Sequence, residues 1–130
     1  VIVVDASVLV RVLLKEPSWE EIELDSSTAT LDYAFVEGMN AIWKAIRTGR
    51  ATEEAGRNLI TVLKLIGEGM LTFEAQNFFE RGLEIALEEN ITIYDALYIA
   101  LAEALNAEFL TADEKQYLAA KNYVEAKLLR

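Results

Sequence analysis

The sequence predicts an α/β fold, a three-layer α/β/α sandwich around a central, mostly parallel sheet of four to five strands. Three observations predict it. Val1-Ile2-Val3-Val4 is a run of β-branched aliphatic residues without polar alternation, the pattern of a strand buried on both faces. Short apolar runs then alternate with longer helical patterns, as right-handed βα crossovers require. Finally, 130 residues with one proline, six glycines and no repeat or linker-like stretch read as a single domain, 1–130, long enough to bury a real core.

After the first strand, a helix is expected from about Ser7 to Lys15, ending before Glu16-Pro17 because proline disfavours helix at the residue preceding it. Ser18 to Ser27 is polar and irregular, with room for a short helical turn. Thr28–Leu31 reads as a second strand. A long helix follows from about Asp32 to Thr48, with Phe35, Met39, Ile42 and Ile46 on one face and Gly49 closing it. The next spans roughly Thr52 to Ile66, with Thr52 as a weak cap and Leu59, Val62, Leu63 and Ile66 as its stripe. Met70–Phe73 is a third strand and Ala75 to about Glu89 a helix. Thr92 to Asn106 is apolar nearly all round, so it should be buried, and Ala96, Ala100, Ala102 and Ala104 would permit close packing. Glu108–Thr111 is a fourth strand, Asp113 to about Lys121 a short helix, and Tyr123–Glu125 a fifth, edge strand.

Composition narrows the chemistry. There is no cysteine, hence no disulfide and no thiolate metal site, and no histidine, which removes the usual zinc ligand, the usual general base and every Ser-His or Cys-His nucleophile pair. Catalysis must therefore run on carboxylates, hydroxyls, lysines or an oxygen-loving metal. A net charge of −10 argues against coating nucleic acid by bulk electrostatics, although a cluster of metal-binding carboxylates would itself contribute to that charge. No apolar run approaches the ~20 residues of a membrane span, so a soluble, cytoplasmic protein is expected.

Four acids stand out. Asp5 and Asp113 each follow a predicted strand, and in an open α/β sheet ligands bind in the crevice outside the carboxyl ends of the strands. Helices that run antiparallel to the strands bring their amino termini to that same edge, with Asp95 in the first turn of one and Glu37 early in another. Singly, each has a bland role: Asp5 and Asp113 as caps, Thr92-x-x-Asp95 and Thr111-x-x-Glu114 as capping boxes, Glu37 as a solvated residue. Together they point to a cation. No lysine or arginine occurs between Arg81 and Lys115 to partner Asp95 on its apolar helix, and a buried carboxylate without a partner is costly. All-oxygen ligation suits Mg²⁺ or Mn²⁺, alone or as a pair, in phosphodiester cleavage that needs no histidine. Ser7 and Thr111 are placed to orient ligands or bind a phosphate, and Asn40 and Lys44 share a helix face with Glu37. Lys44 and Arg11 read as ordinary surface residues, and Tyr94, Tyr98 and Trp43 as core aromatics.

Val3-Val4-Asp5-Ala6-Ser7, Glu37-Gly38-Met39-Asn40-Ala41, the run Tyr94-Asp95-Ala96-Leu97-Tyr98-Ile99-Ala100-Leu101-Ala102 and Leu110-Thr111-Ala112-Asp113 resemble, in order and spacing, the successive motifs of PIN-domain ribonucleases, above all the VapC toxins. The resemblance covers essentially the whole chain, and its third motif is the most specific. It implies a metal-dependent endoribonuclease with Asp5, Glu37, Asp95 and Asp113 as the acidic site for Mg²⁺ or Mn²⁺. It also implies that Thr111 is the usual hydroxyl and Asn40 a polar companion of Glu37. Further implications are an RNA substrate, a homodimer and a VapB-like antitoxin covering the site. Candidates to meet the RNA are Arg11, Lys44, Arg47, Arg50 and Lys115. Two rivals stand beside this reading. A phosphatase or phosphotransferase with Asp5 as nucleophile is disfavoured by Ser7 standing where haloacid-dehalogenase-like enzymes have a second Asp. A non-catalytic PIN-like binding module is the other.

Overall fold

The computed structural model describes residues 1–130. Strands β1 (Ile2–Val4), β2 (Thr28–Leu31), β3 (Leu71–Phe73), β4 (Glu108–Thr111) and β5 (Ala126–Leu128) form one sheet in the order β3-β2-β1-β4-β5. Every neighbouring pair is parallel, with Val3 opposite Ala29 on one side and Phe109 on the other. The sheet is thus wholly parallel and five-stranded. The chain leaves β1 for β2 on one side and later returns to its other side with β4, so the strand order switches direction at β1, and open α/β sheets bind ligands outside the carboxyl end of the strand at such a switch.

Six helices flank the sheet: α1 (Ala6–Leu13), α2 (Ala34–Arg47), α3 (Glu53–Glu68), α4 (Phe79–Glu89), α5 (Ile93–Leu105) and α6 (Glu114–Ala120). α1, α2 and α3 pack on one another, α4 packs on α5, and α5 lies against β1, β2 and β4. The expected burial of α5 is borne out, with seven consecutive residues from Ala96 to Ala102 buried. They join Phe109, Leu9, Leu31 and Ile85 in the main core. No helix is long and apolar enough to cross a membrane.

Local chemistry explains most element boundaries. Asp5, Thr52, Thr92 and Asp113 each cap a helix by accepting from a backbone N–H of its first turn. Gly49, just past α2, takes φ +77°, a left-handed position open to glycine. The expected turn in Ser18–Ser27 is a 3-10 turn at Trp19–Glu21. Residues Ala75–Phe78, expected as the start of α4, are instead a separate 3-10 turn. The fifth strand is displaced by three residues from the expected Tyr123–Glu125. Phe109 N–H donates to Glu125 O and Leu129 N–H to Thr111 O, so the β4 ladder engages Ala126–Leu128. Tyr123 meanwhile donates its hydroxyl to Glu89 of α4. Long-range pairing and a side-chain anchor decide this register, and neither is a local signal.

The α4–α5 approach depends on Gly82, where an added Cβ would lie 2.6 Å from Leu97 Cδ2 and 3.2 Å from its Cγ. Gly82→Ala would gain helix propensity of about 1 kcal/mol, but overpacking against buried Leu97 costs about 1–3 kcal/mol. We expect a net loss of about 1 kcal/mol, read as a lower urea midpoint at unchanged m-value.

Candidate functional site

Asp5 is the innermost of the four acids. It ends β1 and caps α1, and Oδ1 accepts from the backbone N–H of Ser7 at 3.1 Å and Val8 at 3.4 Å. The Ser7 hydroxyl donates to the same oxygen. Oδ2 accepts from Thr111 Oγ1 at 2.6 Å, across from the end of β4. Only 6% of Asp5 is exposed. Burial pushes its carboxyl up to about 6; the hydroxyl and backbone donors oppose that shift, and the charge of Asp95 adds to it. β4 is locked to this arrangement, since Ala112 N–H donates to Ser7 Oγ at 2.9 Å and Asp113 N–H to Thr111 Oγ1 at 3.1 Å.

Asp95 is the hub of the other three. Its charge raises the pKa of both Asp5 and Glu37, and Asp113 in turn raises that of Asp95. For Glu37 and Asp95, as for Asp5, desolvation is the largest cause of the upward shift. None of the four forms an ion pair with a basic side chain. Lys115 bears on Asp95 only as the weakest of four influences. Unrelieved like charge in a partly dry crevice is the defining electrostatic feature of this edge.

Uncharged groups hold the acids in place. The Tyr98 hydroxyl, on α5 one turn after Asp95, donates to Glu37 Oε2 at 3.0 Å and so ties α2 to α5. Tyr33 packs edge-on against Tyr98 and Tyr94, with ring centroids 5.3 and 6.1 Å apart, and its hydroxyl donates to the Tyr94 carbonyl. The charges of Glu37, Asp95, Asp32 and Asp5 all push the Tyr33 phenol upward, after desolvation, so this ring borders the acids. Gln116 is 1% exposed. Its backbone N–H donates to Asp113 Oδ1 at 3.2 Å and its amide Nε2 to the Asp95 carbonyl at 2.7 Å, while Oε1 is buried without a partner.

The structure brings Asp5, Ser7, Thr111 and Asp113 into one hydrogen-bonded group and sets Asp95 and Glu37 beside it. Asp5 and Asp113 are caps as well, so the bland reading holds alongside the clustering. Thr92 Oγ1 accepts from Asp95 N–H as expected, at 3.3 Å. The Thr111-x-x-Glu114 box does not form, because the Thr111 hydroxyl is committed to Asp5 and Asp113 supplies the cap. Asn40 and Lys44 lie exposed further along α2. Arg11 turns away to donate to the Pro17 carbonyl at 2.9 Å. Tyr98 is buried, but Tyr94 and Trp43, expected in the core, are 62% and 56% exposed. No three acidic side chains are spaced to enclose a metal ion as they stand. Sequence reasoning missed Tyr33 and Gln116 and took Tyr98 for packing alone. Tyr98 did carry a signal, because a tyrosine one turn from an acid on a buried helix needs a partner for its hydroxyl.

A profile of the PIN domain matches residues 2–122. The chain is 31% identical to Ribonuclease VapC3 of Pyrobaculum aerophilum, over 88% of this chain and 90% of that protein. It is 29% identical to Exonuclease VapC9 of the same organism, over 97% and 90%. A crystal structure of a Pyrobaculum aerophilum protein superposes with a TM-score of 0.72 at 28% identity, covering 95% of this chain and 82% of that one. A chain of a toxin–antitoxin complex from Klebsiella pneumoniae shares the fold, with a TM-score of 0.66 at 15% identity over 90% of each chain.

Two predictions come from these hydrogen bonds and charges. Burial raises Asp5 from the ordinary carboxylate value near 4 in the unfolded chain to about 6 in the folded one. Between those values the native state binds the extra proton, so without metal stability falls as pH rises from about 4 to 6, by roughly 3 kcal/mol at most. Urea unfolding across that range in EDTA reads the slope, which Asp5→Asn should flatten. The Tyr98 hydrogen bond holds the Glu37 carboxyl down against burial and Asp95. Tyr98→Phe should therefore raise the Glu37 pKa further, as read by carboxyl NMR titration, and cost about 1–2 kcal/mol once Glu37 is ionised.

Proposed function

This chain belongs to the PIN-domain family and to the VapC proteins within it, and from that premise we propose that it is a divalent-metal-dependent endoribonuclease, the toxin of a toxin–antitoxin pair. The observation that carries the reading is the Asp5–Asp95–Glu37–Asp113 arrangement, in which burial and mutual repulsion raise three carboxyl pKa values with no basic side chain paired to any of the four. These are hard oxygen donors, and they fit Mg²⁺ or Mn²⁺ in chemistry. Their spacing is not that of a closed three-carboxylate set, but Mg²⁺ commonly takes one or two carboxylates and completes its shell with water and phosphate oxygens.

The ion would take its one or two carboxylates from among Asp5, Glu37, Asp95 and Asp113. Bound there, it would lower the pKa of a water and offset charge on the phosphate oxygens. The chain's own residues supply position and proton control. Ser7 and Thr111 aim the Asp5 carboxylate, and Tyr98 aims Glu37. With an Asp5 carboxyl near 6, loading a cation at or below that pH would displace its proton. With no histidine in the chain, a carboxylate accepts the proton of the attacking water. The Thr111 and Ser7 hydroxyls orient ligands at the strand ends, and Asn40 flanks Glu37. The partners in this reading are single-stranded RNA, a VapB-like antitoxin over the crevice and a second copy of the chain. Phe79, Leu83 and Leu87 form an exposed apolar stripe on α4 that suits the homodimer.

The test is an incubation of the protein with mixed RNA and with RNA blocked at both ends, in Mg²⁺, in Mn²⁺ and in EDTA. Cleavage of both substrates that needs metal is expected. Cutting of the unblocked RNA alone would replace endonuclease by exonuclease. Asp5→Asn and Asp95→Asn should abolish turnover, and Asp95→Asn should leave the metal-free fold intact or slightly more stable by relieving repulsion. Asp25→Asn is the control. Asp25 accepts from Ser27 N–H and from the Ser27 hydroxyl in the loop before β2, at the amino edge of the sheet. An active Asp95→Asn chain removes that residue from the site, and an inactive Asp25→Asn chain shows that the wrong acids were chosen.

A further inference from the structure

The negative charge of the chain is unevenly distributed. From Ala34 to Glu68, across α2 and α3, five basic residues (Lys44, Arg47, Arg50, Arg57, Lys64) stand against four acidic ones (Glu37, Glu53, Glu54, Glu68), a net charge of +1 in a chain of −10, and between Gly38 and Thr52 three basic residues (Lys44, Arg47, Arg50) meet no acidic one. Lys44 and Arg47 have no acidic side chain within ion-pair distance, whereas Arg50 pairs with Glu16 at 3.3 Å and Arg57 with Glu53 at 3.2 Å, the latter pair largely exposed. In the middle of this island Trp43 is 56% exposed, and the Arg47 guanidinium carbon lies 5.4 Å from its ring centroid. A large aromatic left in water beside an unpaired guanidinium forms a stacking surface with a cation at its edge. Trp43, Arg47 and Arg57 line a concave site of about 370 Å³ between α2 and α3, with Met39 and Ile60 in its wall and Glu53, the partner of Arg57, at its edge.

Half-buried Glu37, held by Tyr98, shares a side of α2 with exposed Lys44 and Arg47, about 20° and 80° around the axis from it, and Trp43 lies further round at about 120°. Trp43 and Arg47 stand about 9 and 15 Å along the axis from Glu37. A polyanion carrying flat π-faces fits such a ridge, because phosphates meet Lys44 and Arg47 while a base stacks on Trp43. Single-stranded RNA is bound in this way, by cationic tracks interleaved with aromatic platforms.

We propose that the α2–α3 ridge, centred on the Trp43–Arg47 stack with Lys44 and Arg57 beside it, is a binding site for the flank of a single-stranded RNA whose reacting phosphate lies at the acidic crevice. The proposal rests on the ribonuclease reading for its substrate class. It adds the place where the rest of the strand is held, and it accounts for how a chain of −10 retains a polyanion. Charge favours RNA over a two-fold contact with a second copy, which would set the Lys44 and Arg47 cations of one ridge against those of the other.

The experiment uses the 130-residue chain carrying Asp5→Asn, so that bound RNA is not cut, with a labelled mixed-sequence single-stranded RNA followed by anisotropy over a series of salt concentrations. Adding Trp43→Ala or Arg47→Ala should weaken binding about tenfold, and Trp43→Phe much less, because a phenyl ring still stacks. Arg47→Ala and Lys44→Ala should each reduce the salt slope by about 0.7, the value for one lost contact on a single strand. Lys127→Ala, a cation paired with Glu108 on the β4–β5 edge, should change nothing. With Asp5 restored, Trp43→Ala should raise KM and leave kcat unchanged. RNA affinity unchanged by Trp43→Ala and Arg47→Ala overturns the proposal, and metal-dependent cleavage by the unsubstituted chain would then still stand. Trp43-dependent binding with no cleavage would instead sink the nuclease reading and keep the binding surface. A dimer in sedimentation that Trp43→Ala converts to monomer would assign the ridge to a second copy and likewise overturn the proposal.

Discussion

A carboxylate buried at the end of the central strand sets the terms for the rest of this molecule. Asp5 sits where β1 gives way to α1, with 6% of its surface in water. Leaving a charge in such a place without donors is costly, and the fold answers with two backbone N–H groups and two hydroxyls. One hydroxyl comes from the next turn of chain and the other from β4, more than a hundred residues away. The pairing of β1 with β4 is therefore written twice, once in the backbone ladder and once in the Thr111–Asp5 hydrogen bond. Both agree on the register that brings Asp113 to the same edge.

Helix α5 connects this inner pair to the outer acids. Its apolar surface is buried against the sheet and α4, which leaves its first turn as the place where charge can reach the crevice. Asp95 occupies that turn, Tyr98 one turn on reaches across to Glu37, and Gln116 of α6 fixes the Asp95 backbone from the far side. The scaffold thus presses acids together and supplies neutral donors in place of cations. Such an arrangement costs stability in isolation, and in the proposed reading a cation and a phosphate offset that cost. The same chain leaves its spare positive charge and its most exposed tryptophan on the α2–α3 ridge, outside the crevice. In that proposed reading, repulsion at one end of α2 and attraction at the other suit a polyanion whose reacting group alone approaches the acids.

Particular residues show how much of this was legible. The parallel sheet could be read from aliphatic runs at β1 and β4 and from the alternation of strands with helices, because burial on both faces leaves no polar period. The four acids could be read because a parallel sheet forces strand ends and helix starts to one edge. The fifth strand was misplaced by three residues, since Tyr123–Val124 is as apolar as Ala126–Leu128 and only the β4 ladder and the Tyr123–Glu89 bond distinguish them. Hydrophobicity places Trp43 and Tyr94 in the core, yet both are more than half exposed. Side-chain type does not reveal which face of a helix finds a neighbour.

The sequence by itself determined the fold class, the absence of histidine and the gathering of four acids towards one sheet edge, because these depend on residue type and on spacings that chain geometry makes local. Tertiary structure alone decided how those acids are held. The Tyr98 bond to Glu37, the Gln116 bond to Asp95, the Thr111 bond to Asp5 and the exposure of Trp43 beside Arg47 each join or separate groups through packing between elements. Such contacts are set when helices and strands meet, and no spacing along the chain encodes them.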